Sequence, residues 1–316
     1  MAQAAAQKTI RIGTRGSPLA LAQAEDVRAR LMAAHGFSHQ QCEIVVIKTS
    51  GDRIVDRPLS EAGGKGLFTK EIEEALLDRS IDLAVHSMKD MPTELPTGLA
   101  IVCMLPREDV RDAFISLKYK TFAELPQGAA LGTSSLRRAS QAAWARPDLN
   151  IVGFRGNVQT RLAKLAAGVA DATFLAVAGL NRLGMADRIT QAISTEAMLP
   201  AVAQGAVGIE IRENDAPTRK LLVPLDDAHT TAAVTAERLF LRRLEGSCRT
   251  PIAGLVEFSG DHVTFRGQIL TPDGRESLSV TRSGAAAEAC SLAEDAANEL
   301  LGQAGRHFFA VQTGKT

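Results

Sequence analysis

Lys89 and Asp90 stand side by side directly after the apolar run Ile-Asp-Leu-Ala-Val-His-Ser (81–87) and shortly before Pro92. A run this apolar suits a core strand. A carboxylate fixed at the carboxyl end of such a strand is well placed to meet charge that develops on a ligand. Cys248 is a second residue with chemical reach. It sits in Leu-Glu-Gly-Ser-Cys-Arg-Thr-Pro, where glycine and proline break a helical run. The neighbouring Arg249 favours the thiolate. The same cysteine also reads as a small buried hydrophobe, as most free cysteines are.

Arginine forms the third group. Of the 36 basic side chains, 26 are arginine and 10 are lysine. Genomic base composition accounts for such an excess, and so does a need for planar guanidinium forks that grip carboxylate or phosphate with two hydrogen bonds. Position bears on the choice. Arg137 and Arg138 fall in the first turn of a predicted helix, where the macrodipole disfavours cations by roughly 0.3–1 kcal/mol each. A bound anion reverses that sign; simple solvation is the alternative. Arg15, Arg155, Arg161 and Arg182 lie near other predicted loops or helix starts, with Ser17, Thr133 and Ser135 among them. A cleft lined this way suits a ligand with several carboxylates. The loop Ser-Glu-Ala-Gly-Gly-Lys-Gly (60–66) lacks the Gly-Lys-Ser/Thr of a nucleotide loop. Its glycines fit a mobile lid from which Lys65 reaches an anion.

The elements that must carry these residues alternate. Lys-Thr-Ile-Arg-Ile-Gly predicts a strand. Residues 17–36 predict a helix with Ser17 as N-cap, Pro18 at its first position and Gly36 past its end. Two more strands around a helix capped by Thr69 complete a βαβαβ run and a doubly wound sheet. Residues 105–116 read as a junction. A second alternating run follows, with helix starts at Ser134 or Ser135 and at Asn157. A long helix over about 229–244 leads to the break at Cys248. Period-two strands around Thr-Pro-Asp-Gly (271–274) and a closing helix near 285–301 predict an antiparallel α+β unit.

At 316 residues the chain is long enough for two or three cores. Its 36 acidic residues cancel the basic ones, and a neutral balance argues against general nucleic-acid or membrane-surface binding. No apolar run reaches the ~20 residues that span a bilayer. The N-terminus lacks the pattern of a secretory signal, so the expected location is the cytoplasm. Cys42, Cys103, Cys248 and Cys290 form no metal-ligand spacing.

Taken together, Arg-Ile-Gly-Thr-Arg-Gly-Ser-Pro-Leu-Ala-Leu-Ala-Gln-Ala, Gly-Gly-Lys-Gly-Leu-Phe-Thr-Lys, Asp-Leu-Ala-Val-His-Ser-Met-Lys-Asp-Met-Pro, Gly-Thr-Ser-Ser-Leu-Arg-Arg, Phe-Arg-Gly-Asn-Val-Gln-Thr-Arg and Leu-Glu-Gly-Ser-Cys-Arg-Thr-Pro resemble the porphobilinogen deaminases, in that family's order and over nearly the whole chain. The resemblance implies two α/β domains like those of periplasmic binding proteins and a smaller α+β third domain with an antiparallel sheet. The implied boundaries are 8–105 with 200–224, then 106–199, then 225–316. It implies a hydroxymethylbilane synthase, a transferase that joins four porphobilinogen molecules head to tail, releases four ammonia and frees a linear hydroxymethylbilane by hydrolysis. The chain grows on a dipyrromethane cofactor held by a thioether.

Carried over by position, the resemblance makes Cys248 the cofactor-bearing cysteine and Asp90 the catalytic residue. It places Lys89, Thr133, Ser135, Arg137 and Arg138 with the cofactor. It places Arg15, Ser17, Arg155, Arg161, Arg182 and the lid residue Lys65 with the substrate. A monomer is expected, with its product passed to the next tetrapyrrole enzyme and no nucleic acid, membrane or metal involved. The sequence departs from the family pattern at Glu61, where many relatives have lysine, and at Ala203, where many have glycine. Two other classes share some of these features. A periplasmic-type binding module would have the cleft and arginines without a use for Cys248. A LysR-type effector domain would carry a DNA-binding helix-turn-helix, and none is evident.

Overall fold

A computed structural model of the chain describes residues 9–53, 68–247, 250–305 and 308. Its strands in chain order are β1 (Ile10–Arg15), β2 (Cys42–Ile47), β3 (Leu83–Ser87), β4 (Leu99–Met104), β5 (Asp112–Ser116), β6 (Ala130–Gly132), β7 (Asn150–Val152), β8 (Ala172–Ala176), β9 (Gln191–Ala192), β10 (Val207–Arg212), β11 (Ile252–Ser259), β12 (His262–Leu270) and β13 (Ser277–Ala285). Packing divides the chain into two units, Met1–Arg107 with Ala206–Thr231, and Glu108–Gly205 with Ala232–Thr316.

The first unit holds a sheet of order β2-β1-β3-β10-β4. β1 runs parallel to β2 and β3, and β10 runs antiparallel to β3 and β4. The Pro18–His35 helix covers one face. Ser17 caps it, its hydroxyl accepting the Ala20 N–H at 3.3 Å, and Gly36 ends it at φ +68° with its N–H on the Met32 carbonyl. Alternation along β3 and β10 sorts the side chains. Leu83, Val85, Val207, Ile209 and Ile211 join Ala24, Val27 and Leu31 in one core. Ala84 packs with Ile72 and Leu76 of the Lys70–Leu77 helix in another. His86 and Glu210 have the strand parity of Ala84 and so fall on that helix's side.

The second unit holds two sheets. One has the order β7-β6-β8-β5-β9, with β6 parallel to β7 and β8, and β5 antiparallel to β8 and β9. This repeats the plan of the first sheet: β10, from late in the chain, lies antiparallel between β3 and β4, and β5, which precedes β6, lies antiparallel between β8 and β9. Two doubly wound α/β sheets and a small antiparallel third one are what the expected fold class requires. Ser135 caps the Leu136–Ala145 helix, and the Asn157 carboxamide oxygen caps Val158–Ala166 by accepting the Thr160 N–H at 2.8 Å.

The third sheet, β11-β12-β13, is antiparallel throughout. The Ala289–Ala304 helix packs on β12 and β13. Ala289, Ala293, Ala296, Ala297 and Leu300 are its buried residues, and the four alanines are small enough to bring backbones close. The hairpin turn before β13 ends at Gly274, φ +71°, where a Cβ would run into the Ser140 carbonyl and the Ala143 methyl. Glycine is required there for both the backbone angle and the close approach.

Glu237, fully buried in the Ala228–Arg243 helix, joins two segments of this unit. Its carboxylate accepts the Ala203 N–H at 2.6 Å and the Val256 N–H at 2.9 Å. Ala203 sits at φ +59°, a left-handed angle that glycine adopts freely and alanine adopts at a cost of about 1–2 kcal/mol. That is the physical content of the departure at this position, and burial of the methyl group partly offsets it. Glu237→Ala leaves two buried N–H groups without an acceptor. It is expected to lower stability by about 2–5 kcal/mol, read as a shift in the urea midpoint with an unchanged slope.

Candidate active site

In the first unit the chain leaves β3 in a single 3-10 turn, Met88–Asp90. Met88 anchors that turn. It is buried, its N–H donates to the Ala206 carbonyl at 3.0 Å, and it packs where any Cβ at residue 208 would overlap its sulfur, so Gly208 makes room for it. Asp90 is thereby held exposed on a rigid support. Around it, Arg15, Ser17, Gln23, His86 and Ser87 line one hollow. The Arg15 guanidinium lies 4.1 Å from the Phe68 ring centroid, a cation–π contact that fixes its direction. Gln23 donates to the Ser87 hydroxyl at 2.9 Å. Arg15, Ser17, Lys89 and Asp90 thus belong to the carboxyl ends of β1 and β3, which are neighbours in the sheet. The polar end to an apolar strand is a turn that lines this hollow.

Beneath this hollow lies a buried titratable group that the sequence did not signal. His86 Nε2 is 2.9 Å from a Glu210 carboxylate oxygen, and the other Glu210 oxygen has no partner among the described residues. Glu73, from the Lys70–Leu77 helix, is also buried. Burial pushes its carboxyl above the ordinary 4.5, and the charges of Glu210 and Glu74 push the same way, against Thr69 and His86. A carboxyl with a raised folded-state pKa is bound to its proton more tightly in the folded chain. Its contribution therefore favours folding at low pH and is lost as pH rises through the raised value. Glu73→Gln is accordingly expected to melt a few degrees higher than the parent at pH 7, with the gap closing toward pH 4.5. Melting temperatures across that range check it.

In the second unit the arginine pair at the start of the Leu136–Ala145 helix is buried, which removes the solvated alternative. Arg137 Nη1 donates to Asp112 Oδ2 at 2.7 Å and to the Leu199 carbonyl at 2.9 Å. Arg138 donates from Nε at 3.0 Å and Nη2 at 2.6 Å to Asp112 Oδ1, and from Nη1 to the Phe174 carbonyl at 2.9 Å. Gln204 Nε2 adds a bond to Oδ1 at 3.1 Å. Asp112 is fully buried, and burial alone would raise its pKa. The two guanidiniums outweigh that and hold it far below the usual carboxylate range. The anion that this helix start gathers from within the chain is therefore Asp112. The Arg137 Nε, also buried, has no partner among the described residues.

Thr133 is buried at the end of β6, its hydroxyl accepting the Ser135 N–H at 3.2 Å, and Ser135 in turn caps the helix through the Arg138 N–H. Arg155, Arg161 and Arg182 are half-buried. Arg161 Nε donates to the Gly156 carbonyl at 2.9 Å and Arg182 Nη2 to the Gly205 carbonyl at 2.8 Å. Lys65, Glu61, Cys248 and Arg249 lie outside the described residues. Those flanking Cys248 are closely tied: Ser247 N–H donates to the Thr250 hydroxyl, and the Thr250 hydroxyl and N–H both donate to the Ser247 carbonyl, at 2.8, 2.8 and 3.0 Å.

Residues 10–220 match the family model described as porphobilinogen deaminase, dipyromethane cofactor binding domain. Residues 231–302 match porphobilinogen deaminase, C-terminal domain. A porphobilinogen deaminase of Paracoccus denitrificans is 60% identical over 303 residues, which span 96% of this chain and 97% of that protein. One from Nitrobacter hamburgensis is 54% identical, with 96% of each chain covered. Among solved structures, a periplasmic substrate-binding protein of an ABC transporter from Coxiella burnetii matches at 14% identity and TM-score 0.44, over 73% of this chain and 97% of its own. That likeness is too loose to bear on chemistry. Two successive family models and relatives aligned over 96% of its length place the chain in the porphobilinogen deaminase family.

Proposed function

We propose that Asp90 is the catalytic residue of a hydroxymethylbilane synthase, that Cys248 carries its cofactor, and that the arginines and polar groups above hold the acids of cofactor and substrate. The activity itself follows from family membership. Four porphobilinogens condense head to tail, four ammonia leave, and water releases linear hydroxymethylbilane. The observation that carries the residue assignment is the anchored turn. Asp90 stands exposed at the end of β3 with Arg15 and Ser17 in the same hollow.

Each porphobilinogen brings an acetate, a propionate and an aminomethyl group that is already an ammonium at neutral pH. Ammonia therefore leaves without a general acid. What its departure needs is a counter-charge for the azafulvenium cation left on the pyrrole. An ionised Asp90 supplies it and, by accepting pyrrole N–H bonds, orients the ring. Arg15 and Ser17 suit the substrate acids beside it. Arg155, Arg161 and Arg182 extend that role along the product, whose acids would otherwise repel the next substrate. Charge-assisted pairs of roughly 1.5–3 kcal/mol each suffice for this.

The residues also fit a dipyrromethane. Its rings bear four carboxylates, and in the Arg137–Arg138–Asp112 cluster the buried Arg137 Nε has no hydrogen-bond partner among the described residues. Arg137, Arg138, Thr133, Ser135 and Lys89 would hold it, with Cys248 bonded to it. When bound, it supplies the pyrrole carbon on which the product is built.

On this reading the enzyme works as a monomer. A thiol that must stay reduced to be alkylated suits the cytoplasm, from which the product passes to the next tetrapyrrole enzyme. Among the described residues, no helix is long and apolar enough to cross a membrane. Acidic Ehrlich reagent tests the reading. Purified protein should give a dipyrromethane colour before any substrate is added, and a colourless active enzyme would end it.

A further inference from the structure

The pairing of two neighbouring arginines on one aspartate asks for an explanation that the catalytic assignment leaves open. Adjacent residues on a helix project about 100° apart, so Arg137 and Arg138 do not converge by default. They converge here because Asp112 bridges them, giving Oδ2 to Arg137 and Oδ1 to Arg138. Both guanidiniums are buried at a helix N-terminus, the end that repels cations. Without the bridge, two desolvated charges of like sign would face each other and the dipole. The bridge is itself placed by β5. Asp112 is that strand's first residue, registered against Ala176 of β8. Gln204, whose side chain also donates to the Val110 carbonyl at 2.8 Å, holds the same Oδ1 from another segment. Among the described residues, Asp112 is the carboxylate that pairs with both guanidiniums.

We infer that Asp112 is a positioning residue for the carboxylate-binding arginines: it touches no ligand, and it fixes the directions in which Arg137 and Arg138 offer their remaining donors. This rests on the reading of that pair as cofactor-binding. The expected consequence is a loading defect rather than only a stability defect. Asp112→Asn keeps the size of the side chain, removes the charge and points an amide N–H at a guanidinium. The fraction of purified chain carrying the mass of two linked pyrroles should fall about tenfold or more, the range expected on losing a charge-assisted bond. Asp112→Glu, which restores the charge at a longer reach, should recover part of it.

Glu237→Ala is the control for a merely structural role, since it unsettles the same unit without touching the arginines. If Asp112→Asn loads like the parent, or no worse than a Glu237→Ala protein of equal urea midpoint, the inference is wrong. If Arg137→Leu and Arg138→Leu both load and turn over normally, the cofactor reading fails first and the inference falls with it. If Asp112→Asn proves insoluble, arginine-labelled parent protein decides by NMR. The Arg138 Nε–H, assigned by its loss in Arg138→Lys, should be shifted and slow to exchange both in the loaded enzyme and in the Cys248→Ser chain. Its merging with the solvent-exposed arginine signals would overturn the inference.

Discussion

Asp90→Ala is expected to lower turnover by about a hundred- to a thousandfold while leaving the urea midpoint of the enzyme almost unchanged. The two halves of this result have different causes. Stability is spared because Asp90 is exposed and has no hydrogen-bond partner among the described residues. The turn that carries it is held by Met88 and its bond to Ala206, not by the carboxylate. Turnover is lost because the side chain supplies a fixed negative charge where positive charge appears on the pyrrole. The conservative variants separate charge from shape. Asp90→Glu keeps the charge but displaces it by one methylene, and Asp90→Asn keeps the position but not the charge. On an electrostatic role Glu should retain more activity than Asn. Steady-state rates of ammonia release and of bilane formation check the series, and an Asn variant as fast as the parent would remove Asp90 from its role.

Cys248→Ser is expected to yield a folded chain without the mass of the dipyrromethane and with turnover reduced roughly to background, because a hydroxyl is a far poorer nucleophile at neutral pH. Intact-protein mass spectrometry followed by peptide mapping reads it directly, with the addition on the peptide spanning 247–250 of the active parent. The other cysteines make poor rivals. Burial pushes the Cys103 thiol up to about 12, and burial also raises Cys42 and Cys290. All three are therefore thiols, not thiolates, at pH 7. Each should be individually replaceable with full loading. An active parent whose Cys248 peptide is unmodified would sink the assignment.

Local signals carried much of the fold. The caps at Ser17, Ser135 and Asn157 and the stop at Gly36 each mark a helix end, because their side chains or backbone angles satisfy groups only a few residues away. The Lys89–Asp90 pair was legible for the same reason, since polar residues after an apolar strand imply a turn at the sheet's end. What escaped was buried charge. Asp112 begins β5, yet the charged residues before it made 105–116 read as a junction between domains. Glu210 sits in the core of β10 and Glu237 in a buried helix face. Pattern reasoning assigns such residues to the surface, because an isolated buried carboxylate is prohibitively costly. Their burial is allowed by partners far along the chain: His86 for Glu210, Arg137 and Arg138 for Asp112, the Ala203 and Val256 N–H groups for Glu237. Nothing near them in sequence announces those partners. β11 was hidden differently, by Pro251 and the helix break in front of it.

The late arrival of β10 has a consequence for how the chain is made. β10 fills the gap between β3 and β4, but about a hundred residues separate the end of β4 at Met104 from its own start at Val207. At about 5–20 residues per second on the ribosome, that is some ~5–20 s of synthesis during which the first sheet lacks an inner strand. Through that interval β3 and β4 each present an unpaired edge, and the cores that Ile209 and Ile211 complete stay open to water. The nascent chain is then most exposed to capture by chaperones or by its own kind. A ribosome stalled near residue 205 should release a product that protease digests readily, while one stalled well past residue 231 shields the same strands.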